Sequence, residues 1–373
     1  MPVLFKEISG ELGLDLVQIG VVWGMISFGS IFVMPIGGLL SDRLGVKRTL
    51  VLFCFLAGLT GALRGISDGY ISLIVTTFLW GVLSSASIPA ISVVAGQSVS
   101  SRQQGLAQGV MGAGGGLGFA ISPLISATIL SPLLGGWRNV LFLYGGLSII
   151  ICLLWWFTIK EPVQVKSSGI IKPIHFRQAL SYLLRLKAVW LLGLCLLAYY
   201  GCVQGVAGFL PLYLRGSGWD AAAADATLAT YSGIGMLVVI PLTFLSDRIG
   251  SRKICLLGAF AVGTIGVGLL SVIHNEFVWV IVIILSVFGI GPPLITTLCL
   301  ENKEIGSKYS ATAVALVLAI CQIGGFGAPP LGNSLASISY GLPFVFWAAL
   351  ALMGFILVIF IKEKQWKTKS LAL

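Results

Sequence analysis

The residues best placed for chemistry in this chain are the charges of one short turn. It reads Gly38-Leu39-Leu40-Ser41-Asp42-Arg43-Leu44-Gly45-Val46-Lys47-Arg48, and a near copy, Thr243-Phe244-Leu245-Ser246-Asp247-Arg248-Ile249-Gly250-Ser251-Arg252-Lys253, follows 205 residues later. A carboxylate beside guanidinium and ammonium groups can pair charges or hold the start of a helix. The turn contains no histidine, thiol or second carboxylate, the groups that serve proton transfer and nucleophilic attack. The chemistry on offer is charge pairing. Each copy sits between two long apolar runs, so the chain reads as two related membrane halves, the plan of many carriers.

The elements around the turns follow from composition. Of 373 residues only 10% are charged and 57% are hydrophobic, with a mean hydropathy of +1.02; a soluble domain would carry about a quarter charged residues. Apolar runs of roughly 20 residues recur along the chain, each long enough to cross a bilayer as a helix. An all-α polytopic membrane protein is expected. The net charge of +10 is spread over short loops, which fits an orientation signal and speaks against nucleic acid as a partner. All seven cysteines lie inside apolar runs and read as small hydrophobic side chains. Neither metal-ligand spacing nor a cofactor motif is visible, and nothing resembles a cleavable signal peptide.

Eleven spans are expected, at about residues 16–40, 49–66, 70–95, 104–130, 138–159, 189–214, 226–245, 254–273, 278–300, 310–338 and 342–361. With the Asp42 turn in the cytoplasm, 19 of the 23 basic residues fall on that side; only Lys6, Arg64, Arg138 and Arg215 do not. This asymmetry sets the orientation and puts the C-terminus in the cytoplasm. The first turn follows one span of its half and the second turn follows two. A twelve-span plan with one helix ahead of Met1 accounts for the difference. The expected divisions are a first bundle at 1–159, a linker at 160–187, a second bundle at 188–361 and a tail at 362–373. Within the linker, residues 175–187 could form an amphipathic surface helix or stay solvated.

The turn, its degenerate echo and the basic mid-chain segment together resemble the major facilitator superfamily. The resemblance covers essentially the whole chain. It implies two pseudo-symmetric bundles, eleven of twelve family spans, and a conformational latch. Asp42 would hold the start of the span near Ser310, with Gly38 allowing close helix approach, Gly45 the sharp turn, and Arg43, Lys47 and Arg48 completing the network. Lys47 and Arg48 also read simply as orientation signals. Asp247, Arg248, Gly250, Arg252 and Lys253 would repeat the arrangement near Gln104. Gly118 and Pro123, with Pro329 as counterpart, resemble a glycine–proline signature of drug exporters, although Ser122 departs from it. Helix packing and bending explain them without invoking drug export. Where proton-coupled exporters start the fourth span with a buried arginine, this chain has Thr77.

By the same resemblance, the first, fourth, seventh and tenth helices line a central cavity. Its candidates here are Trp80, Ser84, Ser85, Tyr199, Tyr200, Gln204 and Thr296. Tyr200 and Gln204 share a helix face, and with Tyr199 they either contact substrate or bond a neighbouring helix. Pro292 and Pro293 should break their helix near its middle. All 13 acidic residues are expected in loops or at span edges, and Arg64 is expected to snorkel to the surface. An interior without fixed charge favours a neutral or weakly charged solute, with a coupling ion left open. The expected function is secondary transport of a small organic solute by a monomer in a prokaryotic plasma membrane. A non-transporting receptor on the same fold and, more remotely, a polytopic membrane enzyme are the alternatives.

Overall fold

A computed structural model describes residues 1–44, 46–97, 104–158, 176–361 and 363. Among the described residues the regular elements are all helices, because backbone polar groups in hydrocarbon must be satisfied within their own segment. The helices are α1 (Phe5–Leu12), α2 (Leu16–Leu44), α3 (Val46–Leu63), α4 (Tyr70–Gln97), α5 (Gln104–Ile125), α6 (Ser131–Leu134), α7 (Trp137–Thr158), α8 (Phe176–Leu183), α9 (Lys187–Gly216), α10 (Ala221–Ile249), α11 (Arg252–Leu269), α12 (Phe277–Leu285), α13 (Gly291–Glu301), α14 (Gly306–Ser334) and α15 (Leu342–Phe360). Eleven candidate spans result: α5 with α6, and α12 with α13, each make one, and α1 and α8 are too short to cross.

Local signals set several boundaries. Asp15 and Gln18 exchange backbone-to-side-chain bonds of 2.7 and 3.0 Å, a capping box that starts α2. Asp220 accepts from the amides of Ala222 and Ala223 at 2.9 and 3.4 Å and starts α10 five residues earlier than expected. Gly250 ends α10 with φ of 73°, a conformation that favours glycine, and by the 205-residue offset it is the counterpart of Gly45. The helix does break before Pro292 and Pro293. Residues Ser286–Ile290 tighten into a 3₁₀ turn, and the prolines open α13, where their missing N–H groups cost nothing. Pro123 lies in α5 three residues before a π-turn at Ser126–Leu130.

Two bundles follow from the packing. In the first, α2 and α3 pack on α4, and α3 packs on α7. In the second, α9 and α11 pack on α15, and α9 packs on α13 and α14. The bundles meet along two seams, α2 against α14 and α5 against α10. The α2 seam lies in the half of the molecule away from the Asp-Arg turns. There Gly20-Val21-Val22-Trp23-Gly24 lets two backbones touch: a Cβ on Gly20 would stand 2.7 Å from Pro330 Cα, and one on Gly24 only 2.5 Å from the Phe326 carbonyl oxygen. Asn333 Nδ2 donates to the Leu16 carbonyl at 2.8 Å, and Trp23 Nε1 donates to the Gln204 carbonyl at 3.0 Å. The distal end is closed.

The α1 helix is tied to the first bundle by its two glutamates. Ser131 Oγ donates to Glu7 at 2.5 Å, while Trp137 Nε1 and Arg138 Nε donate to Glu11 at 2.6 and 2.9 Å. Arg138 continues to the carbonyls of Gly65 and Ser67 at 3.0 and 2.6 Å. The α8 helix does form, with Leu183 buried and Tyr182 Oη donating to the Glu304 carbonyl at 2.8 Å.

Two outcomes follow. Gly24→Leu cannot be seated against the Phe326 carbonyl, so cross-linking between cysteines placed at Leu16 and Asn333 should fall several-fold in this variant while membrane insertion is kept; unchanged cross-linking would show that the seam does not depend on this glycine. Hydrogen bonds from Arg138 first and Trp137 second hold the Glu11 carboxyl below its usual range. A lowered folded value means that the contribution is present above the ordinary carboxylate range and is lost as pH falls through the lowered value. A spin label at Gly10 should therefore gain mobility below about pH 4, and Glu11→Gln should be mobile already at neutral pH.

Candidate transport pathway and charged turns

The cavity candidates divide by neighbour. Tyr200 and Gln204 lie one turn apart on α9, with Gln204 Nε2 donating to Tyr200 Oη at 3.4 Å. This face looks onto the bundle junction: a Cβ on Gly325 of α14 would meet both the Tyr200 ring and Ser27 of α2, and the Gln204 carbonyl receives Trp23. Tyr199 points the other way, into the second bundle, with its ring 4.6 Å from Phe288 and 6.5 Å from Phe260. Ser85 is buried inside the first bundle, 2.5 Å from Ser30 Oγ and bonded to the Gly81 carbonyl at 2.7 Å. Ser84 is half-buried and turns to the same carbonyl at 3.4 Å. Thr296 is half-buried on α13. The structure thus brings Tyr200 and Gln204 together at the junction and gives Tyr199 and Ser85 neighbours within their own bundles.

Trp80 has a different partner. The Arg64 guanidinium stacks over its ring at 4.6 Å and Nε donates to the Gly61 carbonyl at 3.3 Å. Arg64 is only 8% exposed, so the expectation that it snorkels is wrong. The indole face and the helix-end carbonyl hold the charge inside the protein. Asp225 keeps to a span edge, as expected, but it is buried there. It lies inside α10 with its side chain fully out of solvent, paired to Arg215 of α9, because the Asp220 cap starts α10 early and carries Asp225 into the helix.

Two features of the junction escaped the sequence reading. One is the Gly20–Gly24 contact, whose signal, two glycines four apart in an apolar run, is present in the sequence. The other is an aromatic cluster in which Phe28 of α2 lies 4.8 Å from Phe326 of α14 and 5.8 Å from Phe78 of α4. No periodicity marks those rings, since phenylalanine is common throughout the spans. At Gly118 a Cβ would meet nothing within 4 Å, whereas one on Gly116 would strike Met236 of α10. The close approach of α5 to α10 is therefore at Gly116. Pro123 and Pro329 are both buried, in α5 and α14.

Of the first turn, Gly45 and the side chains of Asp42 and Arg43 lie outside the described residues, and Gly38 falls in the last part of α2. Lys47 Nζ sits 5.1 Å over the Trp156 ring, and Arg48 is exposed. The second turn is held within its own bundle. Arg252 bridges Asp247 at 3.4 Å and Glu301 of α13 at 2.8 Å, and Arg248 stacks over Phe244 at 4.8 Å. Lys253 Nζ donates to the carbonyls of Ile359 and Ile361 at 2.6 and 3.0 Å. The Glu363 carboxylate accepts from Ser251 Oγ and from the amides of Arg252 and Lys253 at 2.7, 2.5 and 3.2 Å, placing a negative charge on the start of α11. Asp247 remains 55% exposed and faces Arg252.

The fold is shared with known proteins. Among solved structures, a bacterial homologue of the human lysosomal transporter Spinster, in an inward-facing and occupied conformation, superposes with a TM-score of 0.77 over 96% of this chain and 91% of that one, at 15% identity. A point mutant of the nucleoside transporter NupG gives 0.75 over 96% and 92%, at 14% identity. Among curated proteins, the probable sulfoacetate transporter SauU of Cupriavidus necator is 24% identical over 95% of this chain and 87% of its own length. The sialic acid transporter NanX of Escherichia coli is 26% identical over 69% of this chain and 62% of its own. The Major Facilitator Superfamily model matches residues 1–329. The chain belongs to this superfamily of secondary transporters.

Proposed function

We propose that this carrier moves a small, neutral or weakly charged organic solute, bound at the bundle junction beside Tyr200 and Gln204. The uncharged amide–phenol pair on α9, facing α2 and α14, carries this reading. An amide and a phenol offer donors and acceptors to a polar solute without fixed charge. The bundles at 1–159 and 188–361, joined by 160–187, rock about that site, with the turns and the tail at 362–373 in the cytoplasm of a prokaryotic cell. Asp42 and its basic neighbours latch the turn side while the carrier faces outward. The protein works as a monomer, carries out no covalent chemistry and binds no nucleic acid.

The names of the relatives favour a second reading, a small organic acid. SauU is named for sulfoacetate, NanX for sialic acid and GudP of Escherichia coli for galactarate and D-glucarate. Uptake into proteoliposomes separates the two readings: a panel of neutral sugars, monocarboxylates and dicarboxylates is offered, and saturable entry by one class identifies it. Gln204→Ala should then raise the half-saturating concentration roughly 3- to 10-fold, the worth of one hydrogen bond; an unchanged value would remove Gln204 from the site. Asp42→Asn should lower the maximal rate about tenfold while membrane insertion stays normal, the size of a typical conformational coupling. Unchanged kinetics would refute the latch.

A further inference from the structure

Arg215, in the last turn of α9, donates to Asp225 Oδ2 in the second turn of α10, and their side chains are 6% and 0% exposed. Every other ion pair among the described residues keeps one partner at least 35% exposed. The buried pair is also incomplete: Asp225 Oδ1 and Arg215 Nε have no hydrogen-bond partner among the described residues. An ion pair taken out of water with bonds left unmade adds little or nothing to stability. Ionisable groups kept in such places more often serve ion or proton movement.

The position of the pair suggests its use. It sits at the distal corner of the second bundle, where α9 packs on residues 2–4 and α10 packs on the π-turn at 126–130 of the first bundle. The charges facing Asp225 are Arg215 from α9, Glu7 from α1 and the amino group of Met1. The other segments packed on this part of α10, namely α5, residues 126–130, α12 and residues 286–290, carry no ionisable side chain. Arg252 of α11 lies at the far end of α10, beside Asp247, and Lys253 bonds to the carbonyls of Ile359 and Ile361. Asp220, which caps α10, is exposed and bonded to backbone amides.

We propose that Asp225 is a proton-binding site that locks and unlocks the distal end of the bundle junction. Charged, it holds Arg215 beneath the closed mouth. A proton from distal water, taken onto the unpartnered Oδ1, neutralises the carboxyl and releases Arg215. The guanidinium then leaves for water, and the α9–α10 corner parts from the first bundle. Protonation adds one positive charge and breaks no covalent bond. This inference rests on the transport reading in one respect, that opening of the distal end belongs to a transport cycle, and it makes the proton the coupling ion.

The test needs no substrate. The full chain, with its native cysteines replaced by alanine and spin labels at Gly10→Cys and Ala222→Cys, is placed in lipid nanodiscs, and label separations are read by pulsed EPR between about pH 8 and pH 5. A single short separation at the alkaline end should give way to a growing longer population as pH falls, a shift of roughly tenfold in the open-to-closed ratio. Asp225→Asn should abolish the pH response and Asp225→Glu should keep it. Because Asp225→Asn leaves a buried arginine unpaired, Arg215→Gln/Asp225→Asn serves as the second variant, and it too should ignore pH. Glu7→Gln should respond as the parent does. A parent without a pH response, a double variant that keeps one, or loss of the response in Glu7→Gln would each overturn the proposal. A failed uptake assay would leave this result standing, and a failed EPR shift would leave saturable uptake untouched.

Discussion

The contact on which the rest depends is backbone against backbone, where α2 meets α14 at Gly20 and Gly24. In lipid, two helices gain nothing by hiding apolar surface, because the tails around them are equally apolar. Association must come from close van der Waals fit and from a few polar bonds. Two missing side chains on α2 supply the fit, and Asn333 and Trp23 supply bonds to backbone carbonyls across the junction. Such a seam is tight but shallow. It can be parted without unfolding either bundle, and alternating access requires that property.

The same solvent explains how the charges are arranged. Arg64 lies over an indole beside a helix-end carbonyl, and Arg252 reaches two carboxylates at the membrane edge. Lys253 and Glu363 bond to backbone groups at helix ends. In each case a charge is satisfied at a helix terminus, where unpaired backbone groups already exist. Arg215 and Asp225 are the exception, since each has one polar atom that the surroundings do not meet.

Much of the fold was legible because hydrocarbon leaves a chain few choices. Apolar length gives the spans, proline pairs give breaks such as the one before Pro292, and the 205-residue offset links Gly250 to Gly45. The failures have a common cause. An N-terminal cap moves a helix start by one turn or more, and Asp220 did so for α10, so that Asp225, expected just ahead of the span, lies in its second turn with its side chain buried. Arg64 was misjudged because the sequence does not show that Trp80 will lie beneath it. The face of a helix that looks onto the other bundle is likewise unreadable from one span alone. Where every face is apolar, the spacing of apolar residues no longer marks an inside, so Tyr199 and Tyr200 looked alike until their neighbours were seen.

This also bears on where the chemistry of transport sits. A site built from Tyr200 and Gln204 can recognise a solute but has no group that changes charge in the working range of a cell. Asp225, the described carboxylate fully withdrawn from water, lies instead at the distal corner, a few residues from the loop joining α9 to α10. On the proposed reading, recognition and energy coupling are separate in space, linked by α9, which carries Gln204 in its middle and Arg215 at its end. A rigid helix that joins the two can convert a local change of charge into motion of the bundle junction. The tight glycine contact on α2 gives that motion a defined closed state to leave.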